Sequence, residues 1–287
     1  MSSLSPISKP FSPQGLSPKS LAYKVLSLGT IPASLLLGSV AHAQSTNVNI
    51  QFIPPPISNY DTGGLADRGA PEGREAAGTR APCLSQTQET AASPITEAPA
   101  LTVLMPTVPV SYGDETIQTP MGTTSHAYPT FFFYMPYTQQ VVDAIQFTLL
   151  DAEDYSVASV DVAVPEQAGL LSVTWPKEQL PLPVAADYHW LLQVDCHNPL
   201  EPSDQFTTDL VVEGFIRRLA VPTDPAIDPT SLDTVAQLAA SGVWNDALDV
   251  LIAQLSDHPQ PDTISIALSQ LLASVGLEGF TPYVDES

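Results

Sequence analysis

Tyr128-Pro129-Thr130-Phe131-Phe132-Phe133-Tyr134-Met135 is the stretch from which the fold is read. Aromatic side chains crowd a short segment closed on its far side by Pro136. That composition favours a β-strand, because flat bulky side chains pack well on a pleated surface and proline cannot join an inner ladder. Successive strand side chains point to opposite faces. Phe131 and Phe133 therefore share one face, and Phe132 and Tyr134 the other. One face must turn outward or lie under a covering element. Exposure of Phe132 and Tyr134 beside Trp175 or Trp190 would make a stacking ligand site. Burial of them all would make a core.

Further strand signals lie on both sides of this segment. Leu101–Leu104 precedes it; Ala144–Leu150, Val157–Val164, Leu170–Trp175, Tyr188–Cys196 and Leu210–Leu219 follow. Val160, Val162 and Val164 alternate with other residues, the period of a strand with one buried face. Turn residues separate the segments at short intervals, and no strand–helix alternation is present. The pattern predicts a mainly β fold: an immunoglobulin-like antiparallel β-sandwich with a small C-terminal α-helical cap.

The period changes after Pro222, Pro225 and Pro229. Leu232, Val235, Leu238 and Ala239 form one helical stripe. Trp244, Ala247, Leu248, Leu251 and Leu255 form a second, and Ile264, Ala267, Leu268, Leu271 and Val275 a third. Ser231 and Asp262 stand where N-caps belong, and Gly242 and Gly276 where helices end. The second stripe, with Gly242, Trp244, Ala247 and Leu248, resembles the second helix of a tetratricopeptide repeat. Gln254 departs from that pattern, and there is room for barely one repeat, so a helical cap is the better reading.

The first 43 residues read as an export signal. Lys9, Lys19 and Lys24 precede an apolar run from Val25 to Val40, and Ala41-His42-Ala43 fits small-x-small cleavage before Gln44. The alternative is an uncleaved anchor helix. Cleavage removes three of nine basic residues and none of 31 acidic ones, leaving six against 31, a net charge of −25. Such a chain is repelled by nucleic acid and by anionic lipid. The layout expected is a signal at 1–43, a flexible leader at 44–66, a strap plus sandwich at 67–220, and a proline linker with three helices at 221–287. No membrane span is expected after cleavage.

Arg68, Arg74 and Arg80 recur every six residues in a Gly/Pro-rich strap that ends at Cys83. They fit either an anion site or a strap tied to the domain's own carboxylates. With Trp244 they are the candidate interaction residues. The two cysteines, Cys83 and Cys196, are expected to pair in an oxidising compartment; two separate buried thiols are the alternative. Catalytic motifs are absent: no Gly-x-Ser-x-Gly, no His-Glu-x-x-His, no phosphate loop and no Gly-x-Gly-x-x-Gly. No cofactor or metal is expected. Asp151-Ala152-Glu153-Asp154 is the one calcium candidate, but it lacks the glycine and terminal glutamate of an EF-hand, and a solvated turn is the better reading.

In order along the chain, several pieces resemble a family of secreted bacterial proteins, domain-of-unknown-function family 928. These are Asp67-Arg68-Gly69-Ala70-Pro71, Gly78-Thr79-Arg80, Cys83, Leu101–Leu104, the aromatic strand, Tyr188-x-Trp190, the Cys196 region, Gly214–Leu219, Trp244–Leu248 and Leu271–Leu277. Phe215 stands where that family usually has Trp. The resemblance implies no established activity. It implies the periplasm or beyond, because the family is known mostly from photosynthetic bacteria with two membranes. The functional expectation is a secreted, non-catalytic module that binds an unknown protein partner. The alternative is a carbohydrate- or small-ligand-binding protein or enzyme using the aromatic strand.

Overall fold

A computed structural model describes residues 49–56, 73–76, 83, 100–112, 114–151, 153–197, 208–220, 228–257 and 262–285. The signal segment and the positions of Arg68 and Arg80 lie outside them. The strands are β1 (Thr102–Val103), β2 (Thr107–Tyr112), β3 (Glu115–Thr124), β4 (Thr130–Met135), β5 (Val142–Leu150), β6 (Ser156–Val162), β7 (Gly169–Thr174), β8 (Asp187–Cys196) and β9 (Thr208–Arg218). The helices are α1 (Leu232–Ala240), α2 (Trp244–Asp257), α3 (Asp262–Ala273) and a short α4 (Thr281–Asp285). The fold is mainly β with C-terminal helices, as the periodicities predict.

Two sheets form: a three-stranded one in the order β1-β4-β7 and a six-stranded one in the order β2-β3-β9-β8-β5-β6. Among the described residues every ladder is antiparallel except one. β3 and β9 run parallel, with Met121–Thr124 beside Phe215–Arg218. A parallel pair needs a long crossover, and here the chain between them supplies it by building β4 to β8.

The aromatic strand lies between two covering layers. Phe131 and Phe133 face the six-stranded sheet, where Phe131 meets Phe147 at 4.6 Å between ring centroids and Phe133 meets Trp190 edge-on at 5.6 Å. Phe132 and Tyr134 are equally buried, and Tyr134 meets Phe280, just ahead of α4, at 5.6 Å. The helical segment is thus the second cover that the alternation of β4 requires. Trp175 and Trp190 are fully buried too, so these aromatics offer no stacking face to a ligand.

Close approach explains Gly214. It stands opposite Trp190 across the β8–β9 ladder, and a Cβ there would lie 2.6 Å from the Trp190 ring and 2.8 Å from the Pro120 carbonyl oxygen. The helices form on the predicted stripes, with Val235, Leu251 and Leu271 buried. Ser231 caps α1 by accepting from the Thr234 backbone N–H at 3.1 Å. Gly242 takes the left-handed conformation (φ +74°), and a Cβ there would strike Pro55 at 2.8 Å.

That contact exposes a correction. Residues 49–56, expected as part of an exposed flexible leader, are laid against the helices. Ile50 and Phe52 are buried. Backbone N–H groups of Ile50, Phe52 and Ile53 donate to Gln270 Oε1, Ser274 Oγ and the Ala239 carbonyl at 3.0, 3.2 and 3.0 Å. The apolar alternation of Ile50-Gln51-Phe52 supplies the physical reason: two side chains on one face fill the seam between helices.

Candidate functional site

Of the predicted strap, Gly73–Ala76 are described. Glu75 bridges Thr102, and the Arg74 carbonyl accepts from Val103 N–H at 3.0 Å, so this segment covers the outer edge of β1. The Arg74 guanidinium donates from Nε to the Met105 carbonyl at 2.6 Å and from Nη2 to the Val275 carbonyl at 2.7 Å. It therefore clips the β1 loop to the end of α3 through backbone oxygens rather than carboxylates. Burial lowers its pKa from the ordinary guanidinium value, the cost of holding a charge away from water. Arg74 is committed to the fold and is not available as an anion fork.

Cys83 and Cys196 form a disulfide with 5.6 Å between Cα atoms, within normal bridging range. It ties the far end of the strap to the last residue of β8. Trp244, the remaining candidate, is fully buried. Its indole N–H donates to the Leu104 carbonyl at 2.8 Å, its backbone N–H donates to Thr123 Oγ1 at 3.0 Å, and Phe52 packs edge-on at 5.2 Å. Of its two readings, stripe member and candidate interaction residue, burial selects the first, because the apolar stripe of α2 faces β3 and β4.

Strand β3 and α2 also build a polar node that the sequence reading missed. Asp246 is buried in the first turn of α2, where a carboxylate suits the helix dipole. It accepts from Thr124 Oγ1 at 2.6 Å, from Ser125 N–H at 2.9 Å and from Ser125 Oγ. His126 Nδ1 stands 3.8 Å away on the surface side. One turn later, half-buried Asp249 has its pKa raised by desolvation and by the Asp246 charge, against the opposing pull of His126 and the Thr130 hydroxyl. Asn245 donates to the Thr130 carbonyl at 2.9 Å. Ser125 bonds the carboxylate rather than the imidazole, so this is not a nucleophile–base pair. Its chemistry is that of a clamp: each polar group binds the cap to the sandwich. The sequence carries little signal for it: Asn245 and Asp246 lie off the apolar stripe of α2, where helical periodicity alone would leave them to solvent.

A second polar group lies on the outer face of the six-stranded sheet. His189 stacks on Phe215 at 4.8 Å, with Nε2 at 3.0 Å from Glu213 Oε2 and Nδ1 at 3.5 Å from Asp154 Oδ1. The calcium candidate has a local use. Asp151 Oδ1 accepts from the backbone N–H groups of Glu153 and Tyr155 at 3.0 and 2.9 Å, closing its own hairpin. Among the described residues, no three His, Cys, Asp or Glu side chains are grouped to hold a metal ion, and no helix is long and apolar enough to cross a membrane.

The end of the sandwich that carries the β5–β6 hairpin and the β7–β8 loop has a different character. The loop between Thr174 and Asp187 is held by backbone bonds from Trp175 to Pro129, Leu182 to Ala127 and Ala185 to Arg218, at 2.9, 2.9 and 2.7 Å. Trp175 Nε1 donates to the Leu180 carbonyl, and Arg218 reaches the Ser125 and Leu182 carbonyls. On this braced loop Leu180 is 74% exposed and Val184 48%, and Tyr155 on the neighbouring hairpin is 72% exposed. These large apolar side chains are thus held in water by a loop whose backbone is well bonded.

The family model described as Domain of Unknown Function (DUF928) matches residues 75–283. The chain belongs to that family. No curated protein and no solved structure matches it. The DUF928 match runs from the Glu75 bridge at the edge of β1 to α4, so it takes in the sandwich and the helices together. Clip, disulfide, clamp and braced loop all involve residues of this DUF928 region.

Proposed function

We propose that the chain is an exported, non-catalytic binding module whose contact surface is the braced loop end carrying Leu180, Val184 and Tyr155. The observation that carries this reading is the combination of exposure and bracing at the β7–β8 loop. A loop already ordered before binding loses little conformational freedom on complex formation. Glu153, Asp154 and Glu178 outnumber Lys177 on the same two loops, in a chain that is strongly acidic overall. An apolar centre with an acidic rim fits a protein partner with an apolar patch rimmed by lysine or arginine. Export is supported by the Lys-rich, Ala-His-Ala-ended N-terminus and is consistent with the disulfide. The compartment proposed is the periplasm or beyond, with cleavage after Ala43.

Export and binding are tested separately. N-terminal sequencing of the exported chain is expected to begin at Gln44; an intact Met1 chain in the membrane fraction overturns cleavage. For binding, the purified chain is used to capture partners from periplasmic extract beside a Leu180→Glu/Val184→Glu variant and an Ile266→Glu control. Ile266 is also exposed but lies on α3. A partner retained by the wild type and the control but lost from the loop variant supports the assignment. Equal retention by the loop variant overturns it.

A further inference from the structure

The two sheets have four edges, and three are guarded. The outer edge of β1 is bridged by residues 74–76. β2 carries Pro109 in mid-strand, which removes a donor from that edge. β7 has α4 packed beside it. β6 ends the six-stranded sheet, and among the described residues no strand pairs with its outer side. Its sequence, Ser156-Val157-Ala158-Ser159-Val160-Asp161-Val162, has no proline, no lysine, no arginine and one charge. An exposed edge of this composition is a template for another strand.

The face of β6 that looks toward the core is unfinished as well. Ala158, Val160 and Val162 stand opposite Leu149, Phe147 and Ile145 of β5. Those three β5 residues are buried, whereas the three β6 residues are only half-buried. The apolar row therefore continues to the last strand with water still touching it.

We propose that β6 is a self-association edge, to which a second copy of this chain adds its own β6 antiparallel, about a two-fold axis at Val160. In this register Val160 faces Val160 of the other copy and Ala158 faces Val162, so apolar residues meet on the core side. On the opposite side Ser159 faces Asp161, a hydroxyl against a carboxylate, and no like charges are opposed. A closed two-fold pairing uses both edges and leaves none to propagate. A single-strand contact is small by the standard of stable dimers, and two acidic bodies repel, so the dimer is weak and tightens with added salt.

Sedimentation velocity of the purified chain over a concentration series reads this directly. Ser159 is exposed, so its substitution spares the core. Ser159→Glu opposes two like-charge pairs across the axis and is expected to weaken the dimer roughly ten-fold, whereas Ser159→Lys keeps or tightens it. Val160→Cys places two thiols across the axis in a chain whose native cysteines are already bonded to each other. Mild oxidation is expected to give a covalent dimer, and Gln146→Cys, exposed one strand in, is not. A chain that stays monomeric throughout, a dimer indifferent to S159E, or equal crosslinking of both cysteine variants overturns the proposal. A monomer whose V160C couples instead to a different protein in periplasmic extract also overturns self-pairing, in favour of strand capture from a partner.

Discussion

Replacing Trp244 by Phe tests whether the helices and the sandwich are one cooperative unit. The indole N–H satisfies the Leu104 carbonyl at 2.8 Å, and both residues are buried. Phenylalanine leaves that carbonyl without its donor, at a cost of about 1–3 kcal/mol. It also leaves a small void beside Phe52, worth roughly 1 kcal/mol more. The sum, about 2–4 kcal/mol, is a large share of the 5–15 kcal/mol that typically holds a domain together. With a urea slope of about 3 kcal/mol/M for a chain of this size, the midpoint should fall by about 1 M. Far-UV circular dichroism follows both strands and helices, and near-UV signals follow the Trp175 and Trp190 core. The two are expected to shift together in one transition. A midpoint change below about 0.2 M would show that the bond contributes little. A split in which the helical signal melts early while the aromatic core keeps its wild-type midpoint would refute the single-unit reasoning.

Other outcomes follow from the same structure. Asp249 has a raised folded-state pKa, so the folded chain binds its proton more tightly than the unfolded chain does. Its contribution is fully present below the unfolded carboxylate range and is lost as pH rises through the folded value. Asp249→Asn should therefore raise Tm at neutral pH, with the gap closing as pH falls below about 4; a gap that widens on acidification contradicts this. Gly214→Ala forces a Cβ against Trp190 and the Pro120 backbone and should cost about 1–3 kcal/mol in a denaturant titration; a neutral result would mean that the strand can shift. Cys83→Ser/Cys196→Ser removes a link between residues 113 positions apart, a loop closure worth up to about 4–5 kcal/mol. A melting temperature unchanged by the double substitution would show that Arg74 and the 73–76 bridge hold the strap unaided.

Local periodicity carried most of the architecture. The alternation in Val157–Val164 and the 3.6-residue stripes from Leu232 to Val275 are properties of consecutive side chains, so those strands and helices appear at the predicted places, whereas β2 and β3, whose short apolar signal is broken by Pro109, Pro120 and Gly122, are absent from the predicted segments. The Cys83–Cys196 pair was legible for a chemical reason, since a chain with two cysteines offers each of them one internal partner. Other features depend on contacts between residues far apart in the chain, and no local pattern reports those. Which layer covers Phe132 and Tyr134 was settled only when the helices folded back over β4. The parallel β3–β9 pair joins segments about ninety residues apart, a pairing that neither strand's own pattern encodes. Trp244 reads from the sequence both as a member of an apolar stripe and as a candidate interaction residue; the Leu104 carbonyl and the Thr123 hydroxyl decide for the core. Ile50 and Phe52 lie beyond the predicted elements, and their burial required a seam that exists only between assembled helices. The reverse holds at Leu180 and Val184, whose apolar character the sequence displays but whose exposure follows from backbone bonds to Ala127 and Arg218 that hold their loop out in water.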